Sequence, residues 1–230
     1  MILKKEDRQS TNKLKWKLIS IMSSSIDPQI QAKISMLYER SFQVQQDQPI
    51  SEIATKNGHL TPQDLRKHFL AISPEQGQYI YELLLRQGCK YVVEFGTSFG
   101  ISTLYILAAM KVNKGFVVTS ELLEEKARVA QKNFNELNLQ NLVDLRMGDA
   151  TITLKENIKP IDFLLLDGWK DLYLPVLQML LPKLHKGSLV YFDNADMQGV
   201  KPALDFVAYS NKFVSKTLHS GKAVIAEMIA

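Results

Sequence analysis

Acidic and amide side chains follow the predicted central strands of this sequence. They are Glu94, Glu121, Asp149, Asp167, Asp193 and Asn194. Because the carboxyl ends of strands in an open α/β sheet share one edge, these groups should line a single ligand cleft. A partly buried carboxylate costs free energy unless it has a partner, so the cluster predicts ligands that carry positive charge. Taken singly, each acid could instead cap a helix or a turn.

The segment 91–103 combines an apolar strand, an acid and a turn bounded by two glycines. Its spacing is Glu94-x-Gly96-x-x-x-Gly100, which differs from the Gly-x-Gly-x-x-Gly pattern that binds a dinucleotide pyrophosphate. A carboxylate just before the loop would repel a pyrophosphate and attract a cationic amine. The pattern therefore favours S-adenosylmethionine, which carries an amine and a sulfonium, over NAD. A tight turn in an unrelated α/β protein is the alternative.

Further acids extend this interpretation along the same sheet edge. Glu121 ends the predicted second strand, where an acid can accept hydrogen bonds from ribose hydroxyls. Asp149 ends the third strand and could accept a hydrogen bond from the amino group of an adenine. Asp167, Asp193 and Asn194 offer only oxygen ligands from two neighbouring strand ends, which suits Mg²⁺ or Ca²⁺ and not zinc.

Lys170 follows Asp167 by three residues, so its amine should point into the same cleft. The alternative is a surface lysine at the start of the following helix.

Strand and helix patterns alternate along most of the chain. We predict strands at 91–95, 115–120, 142–147, 161–166, 188–192, 213–219 and 223–228. Predicted helices cover 73–88, 102–111, 124–137, 172–185 and 200–209. This order indicates an α/β fold: a Rossmann-like, doubly wound, mostly parallel seven-stranded sheet with a C-terminal antiparallel hairpin.

Residues 1–60 are predicted to form an N-terminal helical accessory region, and 61–230 the catalytic domain. An apolar patch at 14–22 precedes a helix start at Asp27-Pro28, where Asp27 would cap the helix. Ile30, Ile34 and Leu37 follow at helical spacing. This helix would be a lid over the cleft, a contact in a homodimer, or a cover for the domain surface.

The composition and sequence pattern argue against a disordered, a membrane-spanning and a secreted protein. The chain of 230 residues has 46% hydrophobic and 23% charged residues and a net charge of +4, as a globular domain does. No apolar run approaches the roughly 18 residues of a membrane span, and no signal-peptide pattern begins the chain. The single cysteine, Cys89, fits a reducing compartment. We predict a cytoplasmic protein with no membrane or nucleic-acid partner, since no recognition motif accompanies the basic residues near the N-terminus.

Three motifs in this order resemble the catechol O-methyltransferase-like family. They are Val-Val-Glu-Phe-Gly-Thr-Ser-Phe-Gly-Ile-Ser at 92–102, Asp-Gly-Trp-Lys-Asp-Leu-Tyr at 167–173, and Lys186-Gly187 followed by Asp193-Asn194. The likeness covers about residues 70–215. The family's members are S-adenosylmethionine-dependent, divalent-metal-assisted O-methyltransferases of class I.

The resemblance implies a set of site residues. The cofactor would contact Glu94, Gly96, Thr97, Ser98, Gly100, Ser102, Glu121, Asp149, Ala150, Asp167 and Trp169. Within this set, Glu94 and the 96–100 loop would hold the methionine end, Glu121 the ribose, and Ala150 and Trp169 the adenine. Segment 72–77 would cover the cofactor. Asp167, Asp193 and Asn194 would bind the metal, and Lys170 and Asp167 would be catalytic, with Lys170 as general base.

The sequence departs from the animal catechol enzyme at two places. Gly168 stands where that enzyme has a histidine near the adenine. The hairpin 217–222 lacks the acid that holds the second hydroxyl of the substrate, and His219 is a candidate replacement. Both departures leave catechol itself open as the acceptor.

The predicted function is Mg²⁺-assisted methylation of a hydroxyl on a small acceptor such as a vicinal diol or catechol-like compound. A metal-independent methyltransferase is the first alternative, acting on nitrogen, sulfur or a sugar hydroxyl that Asp193 and Asn194 orient directly. A non-catalytic cofactor-binding protein is the second.

Overall fold

The computed structural model of the protein describes residues 26–57, 60–156 and 158–230. The apolar patch predicted at 14–22 lies outside the described residues. The helices are α1 Pro28–Asp47, α2 Ile50–Asn57, α3 Pro74–Gln87, α4 Ile101–Asn113, α5 Glu124–Glu136, α6 Ala150–Thr153, α7 Tyr173–Leu180 and α8 Lys201–Tyr209. The strands are β1 Tyr91–Phe95, β2 Phe116–Glu121, β3 Val143–Met147, β4 Ile161–Leu166, β5 Leu184–Asp193, β6 Phe213–Leu218 and β7 Ala223–Met228.

The strands form one seven-stranded sheet in the order β3-β2-β1-β4-β5-β7-β6. Strands β1 to β5 pair in parallel, whereas β7 runs antiparallel to both β5 and β6. The predicted Rossmann-like fold with a C-terminal antiparallel hairpin is therefore confirmed. The strand order reverses between β1 and β4, and ligands of open α/β sheets bind at such a reversal.

Both faces of the sheet are covered by apolar side chains. Val92 and Val93 are adjacent in β1 and fully buried, but they belong to different core clusters, because successive side chains of a strand point to opposite faces. Helices α1, α3 and α4 contribute to the Val92 cluster, and α7 and α8 to the Val93 cluster. The central strands are thus buried on both sides, which explains their near-continuous apolar sequence.

Helix α1 begins where the sequence predicts. The side chain of Asp27 accepts a hydrogen bond of 2.9 Å from the Gln29 amide, and the helix ends at Asp47, before Pro49. Ile30 and Ile34 are buried in the same core cluster as α4. Among the described residues, no helix has the length and apolar character needed to span a membrane.

The predicted helix at 172–185 is wrong in its second half. Helix α7 ends at Leu180, and a 3₁₀ turn over Leu181–Lys183 contains Pro182, which cannot donate the hydrogen bond that a continuing helix requires. Strand β5 then begins at Leu184, four residues before the predicted start at 188. The register against β4 shifts between Ile161 and Phe163, and Gly187 in this stretch has a φ of +90°. The predicted turn at Lys186-Gly187 is accordingly an irregularity inside the strand.

Asp162 connects the start of β1 to the neighbouring strands. Its Oδ2 accepts hydrogen bonds from the amides of Lys90 (2.7 Å) and Tyr91 (2.8 Å), and its Oδ1 lies 3.1 Å from His185 Nε2. Partial burial raises the pKa of Asp162, but the two amides and His185 lower it, and the net shift is downward.

We expect Asp162→Ala to lower the free energy of unfolding at neutral pH by about 1 kcal/mol, after allowance for solvent screening. A carboxyl group whose pKa is lowered on folding stabilises the folded state at pH values above its unfolded pKa of about 3.9. This stabilisation is lost as the pH falls below that value. The difference in the free energy of unfolding between wild type and variant should therefore become smaller below about pH 4. Urea unfolding at several pH values measures it, and a difference that stays constant with pH would contradict the role of the charge.

Candidate functional site

A cavity of about 640 Å³ opens at the carboxyl edge of the sheet. Most of the predicted site residues line it, namely Gly96, Thr97, Ser98, Ser102, Glu121, Asp149, Ala150, Asp167, Trp169, Lys170, Asp193 and Asn194. Glu94 and Gly100 do not line it. The volume is in the usual range for a small-molecule site.

The two glycines of the loop after β1 are required by backbone geometry. Gly96 has a φ of +108°, and a Cβ there would lie 2.6 Å from the carbonyl oxygen of Asp167. Gly100 has a φ of +91°, and a Cβ there would lie 2.8 Å from the ring of Phe134. The loop can therefore pass close to the end of β4 and start α4 only with glycine at both positions.

Glu94 lies behind the loop, completely buried. Its carboxylate accepts hydrogen bonds of 2.6 Å from the hydroxyls of Ser102, Thr103 and Thr119. Burial raises the pKa of Glu94, and the three hydroxyls act in the opposite direction. Glu94 thus supports the loop from beneath, and Ser102 stands between it and the cavity. The predicted contact of Glu94 with a cofactor amine stays a prediction.

Glu121 and Asp149 carry the other predicted cofactor contacts. Glu121 accepts the amide hydrogens of Ser98 (2.8 Å) and Leu123 (2.9 Å), which fixes its carboxylate at the cavity wall. Asp149 caps α6 through Oδ1, which accepts from the amide and the hydroxyl of Thr151. Both carboxylates are held in place with acceptor capacity remaining for ligand donors.

Asp167 and Asp193 form a buried acidic pair on the cavity wall. The side chain of Asp167 is 6% exposed. Burial raises its pKa well above the usual range, and the charge of Asp193 and a side-chain hydrogen bond with Asp193 raise it further. Lys170 Nζ lies 3.5 Å from Asp167 Oδ1 and donates to Tyr173 Oη at 2.9 Å.

This pair fits a divalent cation. The two adjoining carboxylates carry two negative charges when ionised, and Lys170 provides one positive charge. A metal ion would neutralise the remaining negative charge. Asn194, which also lines the cavity, would add a neutral oxygen ligand. In the described part of the chain, no three or more His, Cys, Asp or Glu side chains form a group that could hold a metal. The predicted set contains only two acids, so amide, water and substrate oxygens would have to complete it.

Sequence reasoning missed one wall of the cavity. Leu60, Pro62, Leu65, Phe69, Leu70 and Ala71 line it, together with Ile50 from α2. The carbonyl of Phe69 accepts a 2.6 Å hydrogen bond from Ser98 Oγ, and its ring lies 4.2 Å from that of Phe99. Lys126, whose pKa burial lowers, donates to the carbonyl of His68 at 2.8 Å. The apolar run 69–72 was the available signal, but it has no periodicity.

Packing explains the first of the two departures from the catechol enzyme. Gly168 lies against Phe95, since a Cβ there would approach the ring to 2.3 Å. His219 does not line the cavity; its ring meets that of Tyr79 edge-on at 5.4 Å. This position gives no support for a contact between His219 and the methyl acceptor.

Residues 93–195 match a family model described as a methyltransferase domain. The matched range runs from β1 to the residues just after β5, so it contains the glycine loop and the acidic pair. This part of the chain is therefore similar to known methyltransferase domains.

Two curated relatives and two solved structures extend this result. The chain is 33% identical over 136 residues to a catechol O-methyltransferase of Niastella koreensis, covering 56% of the chain and 60% of the relative. It is 26% identical over 138 residues to caffeoyl-CoA O-methyltransferase 2 of Zea mays, covering 57% and 52%. The chain therefore spans about half to three fifths of the length of these two relatives.

The structural likeness covers more of the chain. An O-methyltransferase from Bacillus cereus in complex with SAH matches with a TM-score of 0.66 and 22% identity, covering 83% of this chain and 96% of that one. A SAH-bound methyltransferase from Podospora anserina matches with a TM-score of 0.69 and 16% identity, covering 100% and 99%. At these identities the likeness shows the fold alone, which the chain shares with both structures.

Proposed function

We propose that the protein is an S-adenosylmethionine-dependent O-methyltransferase that acts on a small acceptor with the help of Mg²⁺ or a similar hard cation. The observation that carries the proposal is the buried pair Asp167 and Asp193, beside Lys170, in the same cavity as the Gly96 loop. The similarity to catechol and caffeoyl-CoA O-methyltransferases supports the reaction class.

The cofactor would lie across the reversal in strand order. Its methionine end would contact the 96–100 loop, its ribose Glu121, and its adenine the side of the cavity formed by Asp149, Ala150 and Trp169. The apolar wall from Leu60 to Ala71 would close over it and exclude water. Exclusion of water strengthens electrostatic interactions inside the site.

Asp167, Asp193 and Asn194 would hold the cation. When bound, a divalent cation would lower the pKa of an acceptor hydroxyl in contact with it. With the cation supplying the positive charge beside the two acids, Lys170 would act as the unprotonated amine. It would take the hydroxyl proton while the acceptor oxygen bonds to the methyl carbon and the carbon–sulfur bond breaks. The products are a methyl ether and S-adenosylhomocysteine, and no covalent intermediate forms on the protein.

One observation favours a second candidate, a metal-independent methyltransferase. The Lys170 amine near Asp167 already supplies one positive charge, so a single shared proton between the two acids would complete the balance. Asp193 and Asn194 would then orient the acceptor directly. This acceptor would be a nitrogen compound or a sugar hydroxyl.

Calorimetry and a product assay test both candidates. We expect S-adenosylhomocysteine to bind with micromolar affinity or better, and a panel of catechol-like and vicinal-diol acceptors to be methylated in the presence of Mg²⁺. EDTA should remove that activity, and added Mg²⁺ should restore it. Turnover unaffected by EDTA would favour the metal-independent candidate, and absence of S-adenosylhomocysteine binding would reject the function altogether.

A further inference from the structure

Gln76 links the first turn of α3 to the acidic pair. It is the third residue of the helix, and 6% of its surface is exposed. Its Oε1 accepts a 2.9 Å hydrogen bond from the Ser73 amide, as in a capping box. Its Nε2 donates to Asp193 Oδ1 at 2.6 Å and to the hydroxyl of Tyr191 at 3.4 Å.

These contacts determine the orientation of the side-chain amide. The oxygen has a backbone N–H as its partner, and the nitrogen faces a carboxylate oxygen. Rotating the amide by 180° would set oxygen against carboxylate and nitrogen against N–H, so only one orientation satisfies every partner. The capping box therefore holds a donor at a fixed point beside Asp193.

We propose that Gln76 is a positioning residue that holds the Asp193 carboxylate through Oδ1 and leaves Oδ2 for the cation. The inference rests on the proposed metal-assisted function. Hydrogen bonds to a carboxylate that binds metal fix its orientation and typically change metal affinity by about 10- to 100-fold when removed. A neutral amide also suits this position, because it donates without adding charge to the Lys170 side of the cavity.

The competing explanation is that Gln76 only caps α3. The chain separates the two roles, because Ser73 provides the other half of the capping box. Ser73 Oγ accepts from the Gln76 amide at 3.2 Å, which is a bond of the cap and not of the acidic pair. Ser73→Ala removes one hydrogen bond of the capping box and nothing else, whereas Gln76→Met removes the other one together with the donor to Asp193.

The experiment measures Mg²⁺ binding by calorimetry in the presence of S-adenosylhomocysteine, with the melting temperature recorded for each variant. We expect Gln76→Met to weaken Mg²⁺ binding by about tenfold or more while S-adenosylhomocysteine affinity is unchanged. Ser73→Ala should lower the melting temperature with wild-type Mg²⁺ affinity. Gln78→Met, on the same helix but paired with Glu82, should change neither. Gln76→Asn keeps the amide but is one methylene too short to reach Asp193, so it should weaken Mg²⁺ binding as Gln76→Met does.

The outcomes are distinguishable. Equal Mg²⁺ affinity in wild type and Gln76→Met would overturn the positioning role and leave the proposed function standing. The same would follow if Ser73→Ala weakened Mg²⁺ binding as much as Gln76→Met. If wild-type protein with S-adenosylhomocysteine bound no Mg²⁺, both the metal-assisted function and this inference would be rejected.

Discussion

Replacing Asp193 by alanine should abolish Mg²⁺-stimulated methyl transfer while S-adenosylmethionine binding stays nearly intact. The variant removes one of the two carboxylates that would hold the cation, and Lys170 then balances the charge of Asp167 alone. Metal assistance contributes several kcal/mol to such reactions, so turnover should fall by about 10³-fold or more. Steady-state kinetics across a Mg²⁺ titration, with calorimetry for the cofactor, measures the effect. Asp167→Ala should behave in the same way, because the two acids act as one site.

Asp196→Ala is a matched control for this prediction. Asp196 lies three residues after Asp193 but forms a solvent-exposed ion pair with Lys222. Asp196 does not line the cavity and its exposed ion pair contributes little to stability, so this variant should keep wild-type kinetics and stability. Asp193→Ala also leaves the Gln76 amide without its carboxylate partner, and a melting curve should confirm that the variant is folded. Full Mg²⁺-dependent activity in folded Asp193→Ala would remove this acid from the metal site.

The fold could be predicted from sequence because its signals are local. A continuous apolar run such as 161–166 indicates a strand buried on both faces, and Ser73 with Gln76 indicates a helix start. The error at 172–185 shows the limit of that reasoning. Apolar residues from Leu172 to Leu184 fit one helix, but Pro182 ends it and pairing with β4 extends β5 backward. Strand pairing is a long-range interaction that periodicity does not reveal.

The candidate site also combines features that could be predicted from sequence with features that could not. Strand-end acids could be located in sequence because strand order brings them to one edge. The burial of Glu94 could not, because it depends on hydroxyls from α4 and β2 that converge only in the folded chain. The wall formed by 60–71 was also missed, since its contacts with Ser98 and Lys126 join segments far apart in sequence.

Lys170 should be the side chain whose loss most affects turnover without affecting affinity. Lys170→Met should lower turnover by about 10²- to 10⁴-fold, the usual contribution of a positioned general base, with little change in acceptor KM. Lys170→Arg should be equally impaired. A guanidinium keeps the positive charge beside Asp167 but cannot be deprotonated in proteins. If Lys170 served only to balance charge, Arg would restore activity.

Tyr173→Phe separates catalysis from structure in this experiment. The Tyr173 hydroxyl accepts a 2.9 Å hydrogen bond from Lys170, and the residue is completely buried. The variant removes that contact and leaves the amine and Asp167 in place, so turnover should stay within about tenfold of wild type, the cost of one lost hydrogen bond. A lysine that merely anchors the turn after β4 would give equal losses in Tyr173→Phe and Lys170→Met. Equal losses, or activity in Lys170→Arg, would assign the proton to another acceptor.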